Sequence, residues 1–146
     1  KTSEVIKKCY DELKLNNVDL KGTILKPNMI LPGMKSSEKI SNQEVAELTL
    51  KCLKDSVPSE VPGIAFLSGG QTEIDATANL NEINIKNDTN FIMTYSYGRA
   101  LQQSALKFWS KDVNNKLGTQ EIFDHRVKMC TLAAQGKWSL NLEKTK

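Results

Sequence analysis

Histidine is almost missing from this chain: His125 stands alone among 146 residues, with no CxxC or HExxH spacing beside it. A dedicated transition-metal site therefore has too few ligands of the usual kind, and no metal or other cofactor is expected. Cysteine is scarce and odd in number. Cys9, Cys52 and Cys130 are widely spaced within apolar helical patterns, which argues against a disulfide framework and for reduced core thiols in a cytosolic protein. No stretch approaches the roughly 20 apolar residues of a membrane span, and the opening KTSEVIKKCYDEL lacks an apolar signal core. A soluble, cytoplasmic protein without a membrane partner is the expectation. Charge of one sign is not concentrated either: 20 basic and 17 acidic residues leave +3. They form no basic stripe interleaved with aromatics, so nucleic acid is not an expected partner.

What is present is enough for one substantial core, with 39% hydrophobic content over 146 residues. Val5, Ile6, Cys9, Tyr10 and Leu13 recur at helical spacing over residues 3–15, and Asn16-Asn17 supplies a stop. A strand runs through Ile24-Leu25, followed by a polar loop over residues 32–39. Ser41 and Glu44 form a capping-box pattern ahead of a helix burying Val45, Leu48, Cys52 and Leu53, which ends near Pro58 and Pro62. The continuous apolar run over residues 63–67 suits a strand covered on both faces. Thr72 and Asp75 then open a helix carrying Ile74, Ala78 and Ile83, before a polar loop over residues 84–90. A third strand, residues 91–97, leads through Gly98 into a helix over residues 99–111 with Leu101, Ala105, Leu106 and Trp109 inward. A last helix, residues 119–135, stacks Phe123, Val127, Cys130 and Ala134 and stops at Gly136, with His125 on its solvent side. Strands alternating with helices of this length imply parallel βαβ units. Three strands are too few to close a barrel. The chain also opens directly into a helical pattern without an initial methionine, as a sequence beginning in the middle of something does.

Chemistry gathers after the strands. Lys26 sits in the otherwise apolar stretch GTILKPNM, and Pro27 forces it to stay extended, which places it at the carboxyl end of a buried strand. An amine held there against hydrocarbon has its pKa lowered from about 10.4 and can attack a carbonyl carbon to form an imine. The ordinary alternative is a lysine reaching into water. After the second strand comes Leu67-Ser68-Gly69-Gly70, and after the third Ser96-Tyr97-Gly98-Arg99. Adjacent glycines admit an anion to backbone N–H groups, each loop feeds the positive end of a helix, and Arg99 can add two hydrogen bonds to phosphate oxygens. Each piece alone is a common turn or a solvated arginine. Their joint placement downstream of Lys26 reads as a phosphate cup, which an eight-stranded barrel keeps after its last two strands.

The segments GTILKPNM, FLSGGQTEIDATANLNEIN and TYSYGRALQQSALKFW, in this order, resemble class I fructose-bisphosphate aldolase, as do VPSEVPGIAFLSGGQ and TLAAQGKW. The resemblance implies an α/β fold: residues 1–146 as the carboxyl-terminal part, about strands six to eight, of a single TIM (β/α)8 barrel with a following terminal helix. It implies Lys26 as the imine-forming nucleophile. It also implies Ser68, Gly69, Gly98 and Arg99, with the backbone of Leu67, as binders of the phosphate on the ketone side of a phosphorylated ketose. The reaction so implied is the reversible, cofactor-free cleavage of fructose bisphosphate to dihydroxyacetone phosphate and glyceraldehyde phosphate in glycolysis, by a homo-oligomer, a tetramer as in the family. The family's first five strands with their acid-base carboxylates, and the tyrosine-ended tail of many relatives, are not represented in these 146 residues, so the chain alone is expected to be inactive. Two alternatives stay open at this point: a noncatalytic phosphate-binding or interaction fragment of an aldolase-like protein, and another lysine-imine barrel enzyme acting on a different phosphorylated sugar.

Overall fold

Side-chain caps at Ser41, Thr72 and Asn115 start three of the helices where they begin. In the computed structural model, which describes residues 1–33 and 35–144, helix α1 spans Thr2–Leu15 and α2 spans Asn42–Ser56. Met34, in the loop expected over residues 32–39, lies outside the described residues, as do Thr145 and Lys146. The capping box of α2 is complete: Glu44 N–H donates to Ser41 Oγ at 3.2 Å, and Ser41 N–H donates to Glu44 Oε2 at 2.7 Å. The bonds the Glu44 carboxylate accepts, from Ser41 N–H foremost and from the Ser41 hydroxyl at 2.8 Å, hold its pKa below the usual glutamate range. Helix α3, Glu73–Lys86, starts on Thr72, whose Oγ1 accepts from Asp75 N–H at 3.1 Å. Helix α4 covers Arg99–Trp109 and α5 covers Lys116–Ala134, capped by Asn115. A 3-10 turn, Leu140–Lys144, follows.

The three strands, β1 (Ile24–Leu25), β2 (Gly63–Phe66) and β3 (Ile92–Tyr95), form one parallel sheet in the order β1-β2-β3. Ile24 and Ile92 both align with Gly63, and Phe66 aligns with Tyr95. Gly63 suits a close approach: a Cβ there would lie 3.3 Å from the Ile92 carbonyl oxygen. Because side chains alternate along a strand, Ile64, Phe66 and Met93 share one face, and all three are buried. That face carries the core, built with Val45, Leu53, Leu80 and Cys130. Helix α3 packs between α2 and α5, while α4 packs on α5 and α1 on α2.

The opposite face differs from expectation. Ile24 is 68% exposed and Ile92 75% exposed, so the sheet is covered on one face rather than two. An apolar run fits a doubly covered strand, but it cannot say whether both covers lie within the same stretch of chain. Other expected core positions move outward for related reasons. Leu48, Leu106 and Trp109 are exposed, as is Cys9. Leu106 and Trp109 line, with Phe123, an open cleft of about 740 Å³ between α4 and α5. Only Cys130 is a buried thiol, and burial pushes its pKa up.

Arg126 is the largest surprise in α5. It is 5% exposed; its Nη1 donates to Thr77 Oγ1 at 3.2 Å and to the Glu73 carbonyl at 3.3 Å. Its Nη2 binds the Glu143 carboxylate, which also accepts from Trp138 Nε1 at 2.8 Å. His125 Nε2 lies 3.6 Å from the same carboxylate, so His125 is half-buried rather than on the solvent side. Removing one partner of a buried ion pair leaves an uncompensated charge. Glu143→Ala should therefore cost about 3 kcal/mol or more in urea unfolding, whereas the double variant Arg126→Met/Glu143→Leu should recover most of it. A single-variant loss under about 1 kcal/mol would show that the pair is solvated.

Candidate functional site

The carboxyl ends of the three strands are joined by backbone hydrogen bonds beyond the strands themselves. Leu67 N–H donates to the Pro27 carbonyl at 3.0 Å, and Ser96 N–H donates to the Phe66 carbonyl at 2.8 Å. Three post-strand loops therefore share one edge: Lys26-Pro27, Leu67 to Gly70, and Ser96 to Arg99. Pro27 has no N–H but its carbonyl is free to accept, so the residue that ends β1 also ties it to the next loop.

Lys26 follows Leu25, the last residue of β1, and is exposed, so the burial expected for it is not found. The reason is that the face of the sheet it occupies is uncovered. Strand alternation sets Lys26 on the same face as Ile24, the open face, and the parallel register continued by one step sets it level with Ala65 and Thr94. The amine thus belongs to the uncovered side at the carboxyl edge.

Ser68 is buried and opens a tight turn in which Gln71 N–H donates to the Ser68 carbonyl at 3.0 Å. Gly69 and Gly70 have φ of 58° and 85°, a left-handed pair that side chains with a Cβ adopt poorly. Their N–H groups have no acceptor among the described residues, and successive amides in such a turn form an anion-binding concavity. Helix α3 begins three residues later. Gly98 occupies the position before α4 without a side-chain cap, and Arg99, exposed, has no ion-pair partner among the described residues. Two helix starts with their positive ends, a glycine turn and a free guanidinium therefore lie on adjacent strands, with Lys26 one strand further on. From Lys26 to the third loop is two strand spacings, about 10 Å.

The supports of this edge were not evident from motif reading. Glu73 accepts from Ser104 N–H at 2.8 Å and from the Ser104 hydroxyl, linking the start of α3 to α4. Thr72 Oγ1 donates to Asp75 Oδ2 at 2.7 Å. Both carboxylates are thus engaged: Asp75 locally at the cap of α3, and Glu73 across to α4. Tyr97 donates to the Ala76 carbonyl at 2.9 Å with its ring 5.4 Å from that of Tyr95. Burial foremost, with Cys130 and Tyr95 adding, raises the Tyr97 phenol well above its ordinary pKa, so it stays protonated and acts as an anchor. A serine or tyrosine contact across 21 to 31 residues leaves no periodic trace. Among the described residues no cluster of His, Cys, Asp and Glu could hold a metal ion, and no helix is long and apolar enough to cross a membrane.

Comparison with known proteins bears on this edge. The family model for glycolytic fructose-bisphosphate aldolase class-I matches residues 1–146. A Xylella fastidiosa protein named "probable fructose-bisphosphate aldolase class 1" is 45% identical over 138 residues, 94% of this chain and 41% of that protein. Fructose-bisphosphate aldolase B of Sparus aurata is 45% identical over 138 residues, 94% of this chain and 38% of its own length. The chain therefore spans about two-fifths of the length of such curated relatives. A Plasmodium falciparum fructose-bisphosphate aldolase, solved in complex with TRAP and a small-molecule inhibitor, superposes with a TM-score of 0.91 at 39% identity. The superposition covers 94% of this chain and 40% of that one. The parallel α/β unit is thus a portion of an aldolase barrel.

Proposed function

Because the chain belongs to the class-I fructose-bisphosphate aldolase family, we propose that it supplies strands six to eight, the carboxyl-terminal part, of a (β/α)8 barrel whose Lys26 cleaves phosphorylated ketoses through an imine. The observation that carries this reading is the shared edge. The Pro27 to Leu67 and Phe66 to Ser96 hydrogen bonds hold the Lys26 segment, the glycine turn and the Gly98-Arg99 helix start side by side. A barrel's chemistry sits at that edge.

In this reading the Lys26 amine adds to the ketose carbonyl carbon, and loss of water leaves a protonated imine. That imine is the electron sink: when the bond between the third and fourth carbons breaks, its electron pair flows into the C=N⁺ group and forms an enamine. The departing aldehyde requires removal of the proton on its hydroxyl. Glu73 and Asp75 are engaged by Ser104 and Thr72, so we assign this proton transfer to a carboxylate from the rest of the barrel. Protonation of the enamine carbon and hydrolysis of the imine release the second product and restore Lys26. Ser68, Gly69, Gly98 and Arg99, with the Leu67 backbone, hold the phosphate on the ketone side and so convert binding of a remote group into orientation of the carbonyl at Lys26. The open sheet face, with Ile24 and Ile92 exposed, becomes barrel interior. Fructose bisphosphate as glycolytic substrate, a cytoplasmic location and a homotetramer belong to the same proposal.

Imine trapping tests the nucleophile. Borohydride reduction of the complete protein carrying this chain, with dihydroxyacetone phosphate present, should leave a stable adduct on the Lys26 peptide alone; labelling of a different lysine would remove the assignment. Arg99→Ala should weaken phosphorylated ketoses about tenfold or more, since a charge-assisted hydrogen bond contributes roughly 1.5 to 3 kcal/mol. The unphosphorylated reaction should be nearly unchanged, and equal loss on both would make Arg99 structural. A preparation whose intact mass equals these 146 residues should show no turnover and should associate through its unpaired strand edges. Turnover by that preparation would instead mean that the chain holds its own acid-base group.

A further inference from the structure

Behind the glycine turn lie two amide side chains that no step above uses. Gln71 Nε2 donates to the Ser68 carbonyl at 2.9 Å and lies 3.5 Å from Met29 Sδ, while its Oε1 accepts from Asn79 Nδ2 at 2.7 Å. Chemistry fixes these orientations. A carbonyl and a thioether can only accept, so the Gln71 nitrogen must face them; the Gln71 oxygen then needs a donor, and Asn79 must offer its nitrogen. Asn79 Oδ1 is left without a hydrogen-bond partner among the described residues, on a side chain that is 5% exposed.

A buried acceptor without a donor opposes folding. An apolar residue of similar size at this position in α3 would remove that cost but leave Gln71 Oε1 without its donor, so the asparagine is accounted for by what it does to Gln71. What it does achieve is to hold the Gln71 amide in place. Gln71 in turn gives the Ser68 carbonyl a second donor beside the Gln71 N–H at 3.0 Å. The carbonyl is thereby turned toward Gln71, and the Gly69 and Gly70 amides, at positive φ, are left for an anion. Through Met29 the same amide reaches the segment that carries Lys26.

We propose that Gln71 and Asn79 are positioning residues, an amide relay that aims the Ser68 to Gly70 backbone at the substrate phosphate and fixes its spacing from the Lys26 segment. The inference rests on the phosphate-cup reading given above. Asn79→Leu and Gln71→Ala are compared with Arg99→Ala in the complete protein, by borohydride trapping at increasing dihydroxyacetone phosphate or unphosphorylated dihydroxyacetone, alongside thermal melts. Both relay variants should raise the half-saturating concentration of dihydroxyacetone phosphate about three- to tenfold. Maximal trapping, and trapping of dihydroxyacetone, should stay as in the parent. Asn79→Leu exchanges one unpaired acceptor, Asn79 Oδ1, for another, Gln71 Oε1, and should melt close to the parent, which separates aiming from support. Three results would overturn the relay: equal weakening of both ketones, a lowered melting temperature with unchanged phosphate selectivity, or selectivity lost in Arg99→Ala and kept in both relay variants. The last leaves the phosphate cup standing. An Arg99→Ala protein that keeps full phosphate selectivity instead overturns the cup, and the relay with it.

Discussion

Everything at the candidate site depends on the register of three short parallel strands. Gly63 lies level with both Ile24 and Ile92, and from that alignment the face of every later side chain follows. A slip of one residue in β1 would send Lys26 to the helix side and Leu25 to the open side. Gly63 permits the alignment sterically, because a side chain there would press on the Ile92 carbonyl. The apolar burial of Ile64, Phe66 and Met93 enforces it energetically. Position and chemistry are thus decided in the core, some distance from the groups that act.

The order of elements was legible because each carries a local physical signature. Capping pairs at Ser41 and Thr72, the glycine breaks after β2 and β3, and apolar runs of strand length all act over a few residues. The candidate site was legible for the same reason: Pro27 after Lys26, two glycines after Ser68, and Gly98 before Arg99 are local signals. What periodicity could not supply was the identity of the surface opposite. Leu106 and Trp109 share the apolar side of α4 with Ala105, yet only Ala105 is buried, since the crossing of α5 leaves a cleft beside the other two. Cys9 sits on an apolar helical pattern and still faces outward. Pro27 fixes where Lys26 falls along the chain, but within this stretch Lys26 is exposed, because burial depends on a wall that no local pattern encodes.

Polar contacts across long separations were hidden most completely. Gln71 was visible only as the last letter of a motif, and its bonds to Met29 and Asn79 span 42 and 8 residues. Asn79 looks like any polar residue of a helix until its neighbours are known. His125 reads as the solvent side of α5, and its neighbour Arg126 is of a type that ordinarily stays at the surface. A single carboxylate far along the chain reverses that inference for both.

That carboxylate also imposes an order of events on a chain made from its amino end. Helix α5 is complete by Ala134, and its arginine belongs in the interior against Thr77 and the start of α3. Glu143 follows Arg126 by 17 residues, so a nascent chain presents the guanidinium before its counterion exists. Domains tend to form from the amino terminus as synthesis proceeds, and a lone guanidinium resists entering a low-dielectric interior. Helix α5 should therefore hover against α3 without docking until the Leu140–Lys144 turn has been synthesised, which makes one carboxylate the latch for the helix that precedes it.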